Sequence, residues 1–279
     1  MRSSLTRLIS AAWLLCLPGL ALAADPQGEI KGGAVEHTRE SSAAAVQRAA
    51  VVLPAEVTGG AVFVGRFHDA PRTSSRKVPV VVFLHGSSGL GLKAIGEWQL
   101  WLATQGVASI APDSFALPDR LTYKSPVDKT TYEKVHALRE AEIGLAVAAL
   151  KDVAWADSAR LVLAGTSEGA VAVARHGGTE FAGRMIFSWS CEDNYFVTAP
   201  RTAVVIDQPV LNVISLSDPY FSQKNAWLGN TLATGNCGAA FIGSKRATIV
   251  LIADAPHTLL NLPAARTATA GFLRDLNAK

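Results

Sequence analysis

Residues 161–169, Leu161-Val162-Leu163-Ala164-Gly165-Thr166-Ser167-Glu168-Gly169, read as an apolar strand running into a sharp turn that carries a serine. An alanine-rich stretch of helical composition follows. A strand, a tight serine-bearing turn and a helix together lift a hydroxyl clear of a sheet, where it can act as a nucleophile. The glycines have a steric reason, because helix and strand approach closely around a strained backbone. A five-residue pattern also arises by chance, so its meaning depends on its surroundings.

Upstream, Val78-Pro79-Val80-Val81-Val82-Phe83-Leu84 is a continuous β-branched run, the signature of a strand buried on both faces. It stops at His85-Gly86-Ser87-Ser88-Gly89. A helical stretch around 97–104, a short strand over 107–111 and a helix over 132–153 come next. Val135, Leu138, Ile143, Ala146 and Leu150 give that last helix its apolar spacing. Downstream, residues 185–189, 210–216 and 247–252 are strand-like, and 264–276 forms a closing helix. Residues 62–64 suggest an early strand. This alternation predicts an α/β protein with a mostly parallel sheet covered on both faces, in one domain over 51–279. Residues 24–50 are polar, with little periodicity, and are expected to be a flexible lead-in.

In a parallel sheet, functional residues collect beyond the carboxyl ends of the strands. One such end carries Ser167, a second Ser217-Asp218-Pro219-Tyr220, a third Asp254-Ala255-Pro256-His257. Each residue alone has an ordinary structural explanation. Their order, serine then aspartate then histidine, is that of a hydrolase triad. His257 is the candidate base for Ser167, and Asp218 the acid that orients it. Asp254 competes for the acid role but lies only three residues from His257, too close in one loop to reach its far nitrogen. The backbone N–H groups of Ser87 and Glu168 are the candidate oxyanion donors. Phe115, Trp189, Tyr220 and Phe221, near strand ends, are candidates for an apolar substrate pocket or for core and rim packing. The Glu168 side chain is expected to be solvated or paired, and His85 to shape its loop. His37, His68, His136 and His176 are expected at the surface.

These segments resemble the α/β-hydrolase superfamily, and within it the dienelactone-hydrolase-like proteins, over roughly residues 60–275. Residues 80–89, Pro112-Asp113-Ser114-Phe115, 165–169, 217–220 and 253–257 carry the resemblance. It implies a twisted sheet of about eight strands with helices on both faces. It also implies Ser167, Asp218 and His257 as nucleophile, acid and base. The namesake enzymes use cysteine where this chain has Ser167, which points away from dienelactone and toward a general serine ester hydrolase. No large lid insertion separates the strands, although residues 118–131 can form a small flap. A serine peptidase or amidase on the same fold, and a noncatalytic binding protein that kept the fold, are the rival readings.

The chain has 279 residues, 49% apolar and 18% charged, a globular balance. Its net charge of +3 includes Arg2 and Arg7 in an apparent leader; without them 24 basic residues face 23 acidic ones. No basic cluster remains, so nucleic-acid binding has no electrostatic support. Arg2, Arg7, the apolar stretch over 8–22 and Ala21-Leu22-Ala23 read as a signal peptide over 1–23. At about 15 residues the apolar run is short for a membrane span of about 20. The mature protein is therefore expected in the periplasm or outside the cell, with no stable membrane anchor. Its two remaining cysteines, Cys191 and Cys237, are either a disulfide or two buried thiols. No metal-type spacing appears and no cofactor is expected; the expected partner is a small-molecule ester. Oligomeric state is left open.

Overall fold

The computed structural model describes residues 28–277. The expected leader, residues 1–23, and residues 24–27 lie outside them. The chain runs β1 (Glu29–Lys31), α1 (Arg39–Gln47), β2 (Ala50–Leu53), α2 (Ala55–Thr58), β3 (Phe63–Arg66), β4 (Val78–Leu84) and α3 (Lys93–Thr104). It continues through β5 (Ala108–Ala111), β6 (Thr122–Lys124), α4 (Lys129–Leu150), β7 (Ala156–Thr166), α5 (Glu168–Arg175) and β8 (Gly183–Phe187). β9 (Val210–Ser215), β10 (Ala247–Ile252) and α6 (Pro263–Asn277) complete it.

Eight strands form one sheet in the order β10-β9-β8-β7-β4-β5-β2-β3. From β10 to β5 all neighbours are parallel; β2 and β3 are added antiparallel. All seven residues of β4 are buried, as its unbroken apolar run requires. Its side chains alternate between two cores. Val80, Val82 and Leu84 join α4 and α5 on one face, and Val81 and Phe83 join α3 and α6 on the other. Pro79 cannot donate to a ladder, and the register of β4 against β7 shifts at that point.

The flexible lead-in expected over 24–50 does not hold for residues 28–50. They form β1, which pairs antiparallel with β6, and α1, which packs against α4. Thr38 and Ser41 close a reciprocal cap on α1. The segment has few large apolar residues; it docks through Ala45 and Ala49, with Val46 beside them, and through polar side chains. His37, expected at the surface, is inside: its Nε2 lies 3.1 Å from the buried Glu142 carboxylate and its Nδ1 3.2 Å from Ser41 Oγ.

His136 is also buried, with Nε2–H donating to the Phe196 carbonyl at 2.9 Å. His176 is half-buried beside Glu180, while His68 is exposed. Burial is the largest influence on His136 and lowers its pKa from 6.5 to about 4. Between those values the unfolded chain takes up a proton that the native state refuses, so stability falls as pH falls. The slope is about 1.4 kcal/mol per pH unit for one such group. Burial also holds His85 well below its ordinary value, adding in the same direction. Urea unfolding between pH 7 and 4.5 should show this loss. His136→Leu should remove about one proton from the linkage; an unchanged slope would count against this account.

Candidate active site

Ser167 stands between β7 and α5 with φ 53° and ψ −118°, a positive-φ backbone that non-glycine residues rarely adopt. The packing around it leaves no alternative. A Cβ on Gly169 would collide with the carbonyl oxygens of Leu84 and His85, so the first turn of α5 lies directly on the end of β4. Every residue of α5 is buried, and the helix is built largely from alanine and valine. A Cβ on Gly86 would stand 3.3 Å from Ser167 Cβ; the loop after β4 therefore passes Ser167 at backbone distance.

Asp218 follows β9 and is fully buried. Its Oδ1 accepts the N–H groups of Tyr220 and Phe221 at 2.9 and 3.2 Å. Its Oδ2 lies 2.7 Å from His257 Nδ1. With that carboxylate as partner, Nδ1 carries the proton and Nε2 presents its lone pair. Asp254 is exposed and makes no hydrogen bond to His257 among the described residues. Two serines hold the His257 loop from beneath: Ser188 Oγ donates to the His257 carbonyl at 2.5 Å, and Ser215 Oγ to the Ala255 carbonyl at 2.7 Å. Neither serine stood out in the sequence, because hydroxyls at strand ends are common in every fold.

Ser167, His257 and Ser87 open on one cavity of about 460 Å³. Among the described residues, neither the Ser87 nor the Glu168 N–H donates to a protein acceptor. Tyr195, Phe196, Tyr220, Phe221 and Trp227 wall one side. Tyr123 and Lys124 of β6 line it as well, so the residue 118–131 segment is part of the wall. Of the expected pocket residues, Tyr220 and Phe221 line the cavity, and Trp189 and Phe115 do not. Trp189 is fully buried in the core beneath it. Phe115 stands outside, its ring under the Arg120 guanidinium at 4.7 Å. The long loops over 188–209 and 216–246 supply most of the aromatic wall, and the Cys191–Cys237 disulfide ties them together.

The Glu168 carboxylate is paired, and completely buried. Arg120 donates to Oε1 at 2.6 Å and the Tyr123 hydroxyl to Oε2 at 2.9 Å. The Arg139 guanidinium lies 3.5 Å away, an ion-pair contact longer than a hydrogen bond. Burial and the Glu168 charge raise the Tyr123 phenol well above its usual range, keeping it a donor. His85 is buried under the loop and faces no solvent. Its Nδ1–H donates to the Gly86 carbonyl at 2.7 Å, and its Nε2 accepts from Ser114 N–H at 3.3 Å. Burial and then the Arg139 charge hold it neutral. Arg139 and Glu142 were overlooked as site residues. Their signal was visible: two charges inside the apolar stripe 135, 138, 143 and 146 of a helix.

Among the described residues no group of His, Cys, Asp or Glu side chains is arranged to hold a metal ion, and no helix is long and apolar enough to cross a membrane. No protein-family model matches the sequence, and no curated protein matches it. Solved structures do. A Klebsiella pneumoniae protein described as a dienelactone hydrolase superposes with a TM-score of 0.53 at 16% identity, over 75% of this chain and 90% of that one. Est1E from Butyrivibrio proteoclasticus gives 0.51 at 17%, over 82% and 93%. A cold-adapted esterase from an Arctic intertidal metagenomic library gives 0.50 at 14%, over 80% and 91%. At such identities the likeness is one of fold, and the fold is that of the α/β-hydrolases.

Proposed function

We propose that this α/β-hydrolase-fold protein is an exported serine hydrolase that cleaves carboxylic esters through an acyl-enzyme. The observation that carries the reading is the convergence of Ser167, the Asp218-paired His257 and the unengaged Ser87 N–H on a single cavity. Ser167 Oγ attacks the ester carbonyl carbon while His257 Nε2 takes its proton. The oxyanion that forms is held by the N–H groups of Ser87 and Glu168. Collapse expels the alcohol, which leaves with the proton from His257. Water then repeats the sequence on the acyl-enzyme and frees the acid. Export is supported by the leader-like N-terminus and by a disulfide, which persists in oxidising compartments.

The cavity also bears on the substrate. Its size falls in the small-molecule range. Lys124 and His257 are the basic side chains in its lining, and among the described residues no carboxylate lines it, so neutral or anionic esters suit it better than cationic ones. An acyl chain packed on the aromatic wall gains about 0.8 kcal/mol per buried methylene. p-Nitrophenyl butyrate should therefore exceed the acetate in kcat/KM by roughly tenfold. A fluorophosphonate should label Ser167 of the folded protein. Absence of labelling would overturn the reading, and equal rates for the two esters would remove the acyl chain from the wall.

A further inference from the structure

Behind the two oxyanion donors lies a closed circuit of buried polar contacts. Arg139 donates from one terminal nitrogen to the His85 carbonyl at 2.9 Å and sets the other 3.3 Å from His85 Nε2. His85 Nε2 accepts the Ser114 N–H at 3.3 Å. Arg120 Nε donates to Ser114 Oγ at 2.7 Å, and its terminal nitrogen to Glu168 at 2.6 Å. The Glu168 carboxylate faces Arg139 Nε at 3.5 Å, which returns to the starting residue. Glu142 balances the second arginine. The Arg120, Arg139, Glu142 and Glu168 side chains are all at most 2% exposed.

We propose that this circuit sets the spacing and orientation of the Ser87 and Glu168 N–H groups, making Arg120, Arg139, Tyr123 and the Glu168 carboxylate positioning residues for the oxyanion hole. The inference rests on the esterase reading above and deepens it. Burying four charges is costly, and apolar residues of equal volume would commonly serve stability as well or better. What the charges supply here is geometry. One end of the circuit grips the carbonyl of His85, two residues before Ser87. The other end grips the side chain of the residue whose own N–H is the second donor. The Arg120 and Tyr123 bonds hold the Glu168 side chain, and through it the Cα that ends the Ser167–Glu168 peptide. Ser167 holds a strained backbone, and such a conformation persists only where its surroundings over-determine it. Donors fixed before reaction cost no reorganisation when the oxyanion develops.

The test compares Glu168→Gln and Tyr123→Phe with wild type, using p-nitrophenyl butyrate and an aryl trifluoromethyl ketone that mimics the tetrahedral adduct. Losing an oxyanion donor outright costs about 10²–10³ in kcat. A donor left in place but free to tilt should cost less. We expect kcat to fall about 10–100-fold in Glu168→Gln and about 3–10-fold in Tyr123→Phe, with KM within about threefold. Affinity for the ketone should fall in proportion to kcat/KM. Unchanged kcat in the folded variants would overturn the proposal, as would a loss confined to KM. Should Glu168→Gln fail to fold, Tyr123→Phe decides, since it removes only one hydroxyl. Wild-type turnover that does not depend on Ser167 would instead overturn the esterase reading, so the two failures are separable.

Discussion

Ser167→Ala should lower kcat on p-nitrophenyl butyrate by on the order of 10⁶-fold. The size of the effect follows from what the hydroxyl does and does not do. Its Oγ makes no hydrogen bond to protein among the described residues, so removing it breaks no structural contact. Alanine adopts the same φ as serine at no greater steric cost, and the packing of Gly169 against β4 is untouched. The thermal midpoint should therefore stay within about 1–2 °C of wild type, as for a substitution away from any packing or cap. The aromatic wall remains, so ester binding should persist. What is lost is the acyl-enzyme route, leaving only whatever the oxyanion donors and binding contribute on their own. Retention of more than about 1% of turnover in the variant, against the 10⁶-fold expected, would mean that Ser167 is not the nucleophile.

The site divides into residues that local pattern could reveal and residues it could not. Ser167, Asp218 and His257 were legible because each follows a strongly apolar strand, and in a parallel sheet those strand ends converge. The strands themselves were legible for the same reason: β4 is apolar along its whole length, β9 nearly so. The pocket was not. Its walls come from two long loops and from β6, where no periodicity constrains which way a ring points. Trp189 shows the difficulty. It sits just past β8, as a pocket residue should, yet it points into the core. Tyr123 was equally hidden, because β6 is held by β1, and β1 lies in a segment with no apolar pattern. The N-terminal region was misjudged on composition. Its small and polar residues fit a groove against α4 whose charges, Glu142 and Arg139, were themselves unexpected.

The second large effect should come from Asp218→Asn, with kcat lowered by on the order of 10⁴-fold and little change in KM. The argument is one of donors and acceptors. In the native site both carboxylate oxygens accept: Oδ1 takes two backbone N–H groups and Oδ2 takes the imidazole Nδ1–H. Asparagine keeps the shape but has a single oxygen and an NH₂ that can only donate. If the oxygen keeps the Tyr220 and Phe221 N–H groups, the NH₂ faces Nδ1, which must then become the acceptor. The proton moves to Nε2, and His257 has no lone pair left to take the serine proton. If the amide flips, the imidazole tautomer survives, but the NH₂ is pressed against two backbone donors in a fully buried site. Leaving such groups unsatisfied costs about 1–3 kcal/mol. The first orientation is therefore the one occupied, and it is the inactive one. Asp218→Ala separates this account from a simple loss of charge. It removes the carboxylate without imposing a tautomer, so it should retain more activity than Asp218→Asn near neutral pH if it folds. The reverse ranking, measured on folded variants, would show that Asp218 acts through its charge alone.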